Sequence, residues 1–263
     1  MRLDATTALV TGATGGIGHA IARTLAAKGV SLVLTGRRAE VLEPLAKELD
    51  ARTIAADLAL PAAIERLLEE CGTVDLVVAN AALPASGYYL ALTPKEIGRA
   101  MQVNLLTPMA IARAVAPGMV ERGRGHFVFV GSLAGMAASA GASVYNASKF
   151  GLRGFGLGFR EDLRGTGVSA SVVAPGFIRD AGMFADSGAT LPMGVRTSSP
   201  QDVADGVVAA IEHDRAEVVV APIELRVGAA LGAAVPGLSS RVQRLVGADR
   251  ITLNLADGQA DKR

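Results

Sequence analysis

The chain has 263 residues, 50% hydrophobic and 19% charged, so it can bury a large core and is not globally disordered. Its 26 basic and 25 acidic residues leave a formal net charge of +1, which argues against a nucleic acid as the main partner. A single cysteine excludes an internal disulfide, and the three histidines do not form a metal-ligand cluster, so we expect no metal site.

Two further features bear on location. No apolar run approaches the roughly 18 residues of a spanning helix. The N-terminal sequence MRLDATTALVTG passes almost directly into a strand-like run. We therefore expect a cytoplasmic protein with neither a signal peptide nor an integral membrane segment.

Short apolar or β-branched runs alternate with longer helical patterns along the chain. The strand-like runs lie at residues 6–12, 31–36, 52–57, 74–80, 126–132, 169–175 and 217–222. The helical patterns lie at residues 16–28, 39–49, 61–70, 94–121, 144–164 and 200–213. Most of the strand-like runs are apolar throughout, which is typical of strands covered on both faces. Repeated βα units of this length predict an α/β fold, a Rossmann-like doubly wound parallel sheet of about seven strands flanked by helices.

We interpret residues 1–247 as a single domain, because no linker, composition break or repeat divides them. Within it, residues 180–198 are rich in Gly, Ala and Ser without clear periodicity, which is typical of a substrate lid. Residues 223–247 read as a C-terminal helical segment, and residues 248–263 as a polar tail. Both Thr93-Pro94 and Ser199-Pro200 mark helix starts, since a hydroxyl cap precedes a proline and a carboxylate follows in the first turn.

The first strand leads into TGATGGIG at residues 11–18, followed by a helical pattern. Gly12, Gly16 and Gly18 let the turn close tightly and let backbone N–H groups approach a pyrophosphate, while the helix N-terminus favours its negative charge. Glycines that serve only close packing are the alternative, which the position in a βαβ unit makes less favoured.

The second strand ends at Arg37 and Arg38, where an NAD-binding unit usually carries an acidic residue. A guanidinium suits the 2′-phosphate of NADP, so we expect NADP (NADPH) to be favoured over NAD. Two solvated surface arginines remain the alternative.

TGATGGIG and YNASK together resemble the motifs of the short-chain dehydrogenase/reductase family, in its single-domain branch, over about residues 5–222. The resemblance implies an NADP(H)-dependent oxidoreductase that interconverts a carbonyl and a secondary alcohol. It implies a catalytic tetrad formed by Asn104, Ser132, Tyr145 and Lys149. It also implies cofactor contacts at Thr14, Gly15, Ile17, Asp57, Leu58, Asn80, Ala81, Pro175, Gly176 and Ile178, besides the glycines, the arginine pair, Tyr145 and Lys149.

The tetrad has a chemical reason. A free tyrosine has a pKa near ~10, too high for an efficient general base at neutral pH. A nearby Lys149 ammonium favours the phenolate, so we expect it to lower the pKa of Tyr145. By the resemblance Lys149 also binds the nicotinamide ribose, and Ser132 donates to the substrate oxygen. A lone Tyr/Lys pair four residues apart is otherwise an ordinary surface pair.

Asn104 lies inside the long helical pattern, four residues before Pro108. Because proline has no N–H, the carbonyl of Asn104 loses its helical partner, and we expect a kink there. In the family a water at this point joins a proton relay. A bend that serves only packing is equally compatible with the sequence.

Two positions depart from the family pattern: Leu83 replaces a glycine, and Asp180 replaces a threonine that contacts the nicotinamide carboxamide. Apolar side chains suggest a small to medium, apolar substrate; they are Leu83, Tyr88, Tyr89, Met183, Phe184, Leu191 and Met193.

The helix after Lys149 contains Gly151, Gly154, Gly156 and Gly158, each costing up to ~1 kcal/mol relative to alanine. This cost suggests close approach of another backbone, of the cofactor or of a second subunit. By the resemblance we expect a homodimer or homotetramer. The apolar positions of residues 223–247 could complete the pocket, join a subunit contact or touch a membrane surface.

Three alternatives remain. The chain could be an NAD-dependent dehydrogenase of the same family, or an epimerase or dehydratase of the family's longer branch. It could also be a catalytically silent nucleotide-sensing or scaffold protein on the same fold, although such a protein has no need for Tyr145 beside Lys149.

Overall fold

A computed structural model of the chain describes residues 1–188, 191, 195–237 and 241. Its centre is a sheet of seven parallel strands in the order β3-β2-β1-β4-β5-β6-β7. The strands are β1 Thr7–Thr11, β2 Ser31–Gly36, β3 Arg52–Ala55, β4 Leu76–Ala79, β5 Gly125–Val130, β6 Val168–Pro175 and β7 Glu217–Val220. The predicted Rossmann-like parallel sheet is confirmed.

Helices cover both faces of the sheet. They are α1 Gly16–Ala27, α2 Ala39–Leu49, α3 Pro61–Cys71, α4 Pro94–Met101, α5 Thr107–Glu121, α6 Ser143–Asp162, α7 Gly182–Ser187, α8 Pro200–Glu212 and α9 Ile223–Ala234. The capping boxes predicted at Thr93 and Ser199 are both present, at the N-termini of α4 and α8.

Neighbouring strand residues enter two separate cores, because successive side chains of a strand point to opposite faces. On one face, Val10 and Val128 pack with side chains of α1, α2 and α8. On the other, Leu9 and Phe127 pack with side chains of α3, α5 and α6. Both faces of the central strands are therefore buried, which explains why most of the strand-like runs are apolar throughout instead of alternating.

The helix predicted over residues 94–121 is divided. Between α4 and α5 the chain forms a π-helical segment, Gln102–Leu106, in which the amide of Thr107 donates to the carbonyl of Gln102. Pro108 has no N–H to offer to the Asn104 carbonyl, and the wider π turn accommodates this gap. The expected simple kink is thus a π-helical insertion. Within the described part of the chain, Pro94–Glu121 is also the one helical run long and apolar enough, by length and composition alone, to cross a membrane.

The region predicted to be an irregular lid contains regular structure. The backbone at Ile178 bridges that at Ser198, and α7 lies between them. Residues 189–190 and 192–194 lie outside the described part, so the prediction for Met193 has no structural counterpart. Of the predicted C-terminal segment 223–247, the structure describes α9, residues 235–237 and residue 241. The tail 248–263 also lies outside the described residues.

Candidate active site

The glycine turn lies between β1 and α1 and is held against the end of β4. Gly12 has φ +67°, and a Cβ there would lie 2.7 Å from the Cα of Ala81. The Thr11 hydroxyl accepts from the amides of Asn80 and Ala81, both at 3.0 Å. The Asn80 side-chain amide donates to the carbonyls of Thr11 (3.0 Å) and Gly12 (3.2 Å). Sequence reasoning missed Thr11, although it opens the glycine motif.

The rest of the turn forms the start of α1. Gly15 is its N-cap, Gly16 its first residue, and Ile17 and Gly18 follow in the first turn. A Cβ on Gly18 would collide with the carbonyl of Gly12, so the turn closes on itself too tightly for a side chain at that position. The N–H groups of this first turn have no partner within the helix, which is the arrangement that binds phosphate.

The arginine pair stands beside this turn. Arg37 and Arg38 follow the end of β2 and are both exposed. Arg38 donates from Nη2 to the carbonyl of Thr14 at 3.1 Å. A Cβ on Gly36 would lie 2.7 Å from Thr14, so β2 and the glycine turn approach closely. Two cations therefore lie next to the turn that is suited to phosphate.

Asp57 and Leu58 lie after the end of β3. The Asp57 carboxylate pairs with Arg99 of α4, with Nη2 and Oδ2 2.9 Å apart, and its Oδ1 accepts from the amide of Ala59 at 3.1 Å. Burial raises the pKa of Asp57, but the hydrogen bonds from Arg99 and Ala59 bring it below its ordinary value. Leu58 is buried, and its carbonyl accepts from the Thr107 hydroxyl at 2.7 Å. No motif or spacing in the sequence pointed to Arg99.

The structure brings Tyr145, Lys149 and Ser132 together near the carboxyl end of β5. Lys149 is 2% exposed, and its Nζ donates to the carbonyl of Val130 at 3.0 Å. The same Nζ lies 5.8 Å from the ring centroid of Tyr145. Burial lowers the pKa of Lys149 to about 8.

Tyr145 differs from the expectation of a lowered pKa. Burial raises the pKa of its phenol, and the hydrogen bond with the Ser132 hydroxyl opposes the rise. The physical reason is that desolvation disfavours the phenolate. Desolvation thus outweighs the effect expected of the neighbouring lysine, and the phenol favours its protonated form.

Asn104 is fully buried, and its side-chain amide makes three hydrogen bonds within the protein. Its Oδ1 accepts from the amide of Leu83 at 2.7 Å. Its Nδ2 donates to the Leu83 carbonyl at 3.0 Å and to the Ser148 hydroxyl at 3.3 Å. The Ser148 hydroxyl in turn donates to the Tyr145 carbonyl at 2.8 Å. The Asn104 side chain thus ties the exit of β4 to α6. Ser148 was missed, although it lies within YNASK.

The segment after β6 packs against the glycine turn. Pro175 ends the strand, and the amide of Gly176 donates to the carbonyl of Val220 at 3.0 Å. Ile178 is buried at the bridge to Ser198. Asp180, with φ +67°, turns the chain so that Ala181 packs where a Cβ of Gly16 would stand. This places the segment beside the turn suited to phosphate.

The predicted apolar pocket is only partly assembled. Leu83 is buried, and its backbone is held by Asn104. Phe184 packs on Phe177, with ring centroids 5.2 Å apart. Tyr88 and Tyr89 are more than half exposed. The apolar substrate therefore stays a prediction.

The glycines of α6 fall into two groups. A Cβ on Gly151 would lie 2.9 Å from Leu105, and one on Gly156 would lie 2.7 Å from Val172, so these two serve packing within the chain. Gly154 and Gly158 have open space where a Cβ would stand. Close packing within the chain thus explains Gly151 and Gly156, but not Gly154 and Gly158.

Comparisons with known proteins agree with this geometry. The family model described as short chain dehydrogenase matches residues 6–191. Ketoacyl reductase HetN of Nostoc sp. is 34% identical over 230 residues, which are 83% of this chain and 79% of that protein. NADP-dependent 3-hydroxy acid dehydrogenase YdfG of Salmonella typhi is 38% identical over 182 residues, which are 65% and 71% of the two chains. A short-chain dehydrogenase from Sphingobium yanoikuyae, solved in complex with NADPH, superposes with a TM-score of 0.75 at 26% identity, over 93% of this chain and 94% of that one. The chain therefore belongs to the short-chain dehydrogenase/reductase family of oxidoreductases, which act on CH–OH or carbonyl groups.

Proposed function

We propose that this protein is an NADPH-dependent reductase that interconverts a carbonyl and a secondary alcohol, with Tyr145 as general acid and base. One observation carries the proposal: the Tyr145 phenol is hydrogen-bonded with the Ser132 hydroxyl, and the buried Lys149 Nζ lies 5.8 Å from the centroid of its ring. These groups lie near the carboxyl ends of the parallel strands, the edge where open α/β sheets bind ligands.

The residues present fit a dinucleotide. The positive φ of Gly12 and the excluded Cβ at Gly18 leave a backbone cradle at the N-terminus of α1. Such a cradle binds a pyrophosphate through main-chain N–H groups. When bound, NADPH supplies the hydride, and the protein supplies positioning and proton transfer.

Tyr145 gives its proton to the carbonyl oxygen of the substrate, as a phenol that carries its proton at neutral pH can do. Ser132 is the second donor to that oxygen. It is held in an extended backbone conformation, and its Oγ also accepts from the amide of Ala134 at 3.1 Å. Two donors aimed at one oxygen stabilise the negative charge that develops there.

Lys149 has two roles in the proposal. Its Nζ has two N–H donors beyond the one given to Val130, and these suit the hydroxyls of the nicotinamide ribose. Its positive charge favours the phenolate left after proton transfer. Asn104 acts through its backbone, since both N–H donors of its side-chain amide are already used, and Pro108 has no N–H to offer to its carbonyl, which we propose accepts from an ordered water.

The proposed cofactor is NADP rather than NAD. The exposed Arg37 and Arg38 beside the glycine turn support this choice, because guanidinium groups pair well with a phosphate. The names of the Salmonella typhi and Sphingobium yanoikuyae proteins also mention NADP or NADPH. Further proposed cofactor contacts are Thr14, Gly15, Ile17, Asp57, Leu58, Asn80, Ala81, Pro175, Gly176 and Ile178.

The proposal includes a homodimer or homotetramer. Phe150, Gly154 and Gly158 follow each other at intervals of four on the exposed face of α6, and Leu106 is also exposed. An apolar ring beside bare backbone suits the close approach of a second helix. The proposed substrate is small to medium and apolar, and the proposed location is the cytoplasm.

The test is a panel of ketones, 3-oxo esters and secondary alcohols, followed by nicotinamide absorbance with NADPH and with NADH. We expect reduction of at least one ketone, faster with NADPH. Faster turnover with NADH would favour an NAD-dependent dehydrogenase. Tight dinucleotide binding without turnover of any panel member would favour a nucleotide-sensing protein.

A further inference from the structure

Arg99 forms an ion pair that the proposed chemistry does not use. It lies on α4, outside the glycine turn and the tetrad, and reaches Asp57 across 42 residues of sequence. The two side chains are 26% and 30% exposed, so the pair is shielded more than a surface contact but open on one side. A partly exposed ion pair contributes only modestly to stability, and this raises the question of another role.

The position of Asp57 places it near the adenosine half of the proposed cofactor. β3 is the neighbour of β2, and the amide of Ala56 donates to the carbonyl of Gly36 at 2.9 Å. Asp57, two residues after the end of β3, therefore lies beside the end of β2, which Arg37 follows. In a doubly wound sheet the ribose lies at the end of the second strand. By its resemblance to the family, the acidic-apolar pair Asp57 and Leu58 after the third strand contacts the adenine.

The carboxylate has the right chemistry for an adenine. The exocyclic amine of adenine is a hydrogen-bond donor, and a carboxylate offers about four acceptor positions. Asp57 uses one position of Oδ1 for the amide of Ala59 and one of Oδ2 for Arg99. The remaining positions can accept the amine, since part of the side chain is exposed.

We propose that Arg99 is a positioning residue for adenine recognition: it fixes the Asp57 carboxylate in the orientation that accepts the exocyclic amine. The inference rests on the proposed function, since it takes the dinucleotide as the ligand. Ala59 holds one carboxylate oxygen from the backbone, and Arg99 holds the other from α4. With both oxygens held, the carboxylate cannot rotate away from the base or swing toward Arg37.

A purely structural pair makes a different prediction. If Arg99 only fastens α4 to the turn after β3, its removal lowers the stability and weakens all dinucleotides equally. If it positions Asp57, its removal weakens the cofactor that carries the amine more than an analogue that lacks it.

The experiment measures dissociation constants of NADPH and of its hypoxanthine analogue, in which a carbonyl replaces the amine, by titration of the full-length protein. The variants are Arg99→Ala, Arg99→Lys, Asp57→Asn and, as a control on the same helix, Lys95→Ala, an exposed residue. We expect the wild type to prefer NADPH by about tenfold, as for one charge-assisted hydrogen bond. Arg99→Ala should reduce the preference at least threefold, Asp57→Asn should abolish it, and Lys95→Ala should leave it unchanged. Arg99→Lys, which keeps the charge, should retain more of it than Arg99→Ala.

The outcomes distinguish a failure of the inference about Arg99 from a failure of the proposed function. A preference that Asp57→Asn abolishes but Arg99→Ala and Arg99→Lys leave intact would overturn the role of Arg99 and leave the proposed function standing. A wild type with no preference would overturn the inference as well. A wild type that binds neither dinucleotide would refute the proposed function itself. If Arg99→Ala does not fold, Arg99→Gln takes its place in the same comparison.

Discussion

Replacing Lys149 with methionine should change how the stability of the protein depends on pH. Lys149 is 2% exposed, and burial lowers its pKa from 10.5 to about 8. A shift of this size corresponds to about 3 kcal/mol of unfavourable free energy for the charged form in the folded protein at neutral pH. Methionine removes this cost but leaves the Val130 carbonyl without its donor, which costs about 1–3 kcal/mol. The two effects nearly cancel near pH 7.

The pH dependence is the sharper observable. Between the folded pKa of about 8 and the unfolded value of 10.5, the unfolded chain binds more protons than the folded one, so the stability contributed by Lys149 rises with pH. From pH 7 to pH 10 the free energy of unfolding of the wild type should therefore gain about 2–3 kcal/mol relative to Lys149→Met.

Urea denaturation at pH 7, 8, 9 and 10, at one protein concentration, gives the two unfolding free energies and their difference. Lys95→Met, at an exposed position, controls for the loss of a lysine as such and should show no such trend. A difference between wild type and Lys149→Met that stays constant across this pH range would refute the reasoning. It would mean that Lys149 is not desolvated.

Two further predictions concern the cofactor and α6. Arg37→Ala should weaken NADPH binding by about tenfold or more and NADH binding by less than about twofold, because only NADPH carries the 2′-phosphate that the guanidinium binds. Equal losses in the two titrations would remove the basis for NADP preference. Gly154→Ala should raise the free energy of unfolding by about 0.5–1 kcal/mol, since the added Cβ enters open space on a helix. Gly156→Ala, its matched partner, should lower it by about 1–3 kcal/mol, because its Cβ would lie 2.7 Å from Val172 and 3.0 Å from Phe129. Thermal or urea unfolding distinguishes the two, and a loss at Gly154 together with dissociation of an oligomer would instead place that glycine in a subunit contact.

The architecture was predictable because it depends on local patterns. Strands buried on both faces are apolar throughout, and this pattern located most of the seven strands; β3, in which only Ile54 is buried, does not follow it. The errors lie at the predicted strand ends, because side-chain contacts determine where each strand stops. The strand predicted to reach Asp57 ends at Ala55, because the chain turns after it, with Asp57 accepting from Ala59 and the amide of Leu60 donating to the Asp57 carbonyl.

The candidate site was predictable where its residues share a motif. Tyr145 and Lys149 lie on one helix. Pro108, four residues after Asn104, marks a break in the helical pattern there. The ion pair of Asp57 with Arg99 was not predictable, since it joins two elements that share no periodicity or motif. The raised pKa of Tyr145 was also missed, because spacing shows that a lysine is near but not how far the phenol is desolvated.

The most direct test of the account is the turnover of Tyr145→Phe with NADPH and the best ketone of the panel, compared with the wild type. Phenylalanine keeps the ring and removes only the proton donor. The account predicts that kcat falls by about 10²-fold or more while the dissociation constant of NADPH changes by less than about threefold. Unchanged turnover in Tyr145→Phe would contradict the central claim that this phenol transfers the proton.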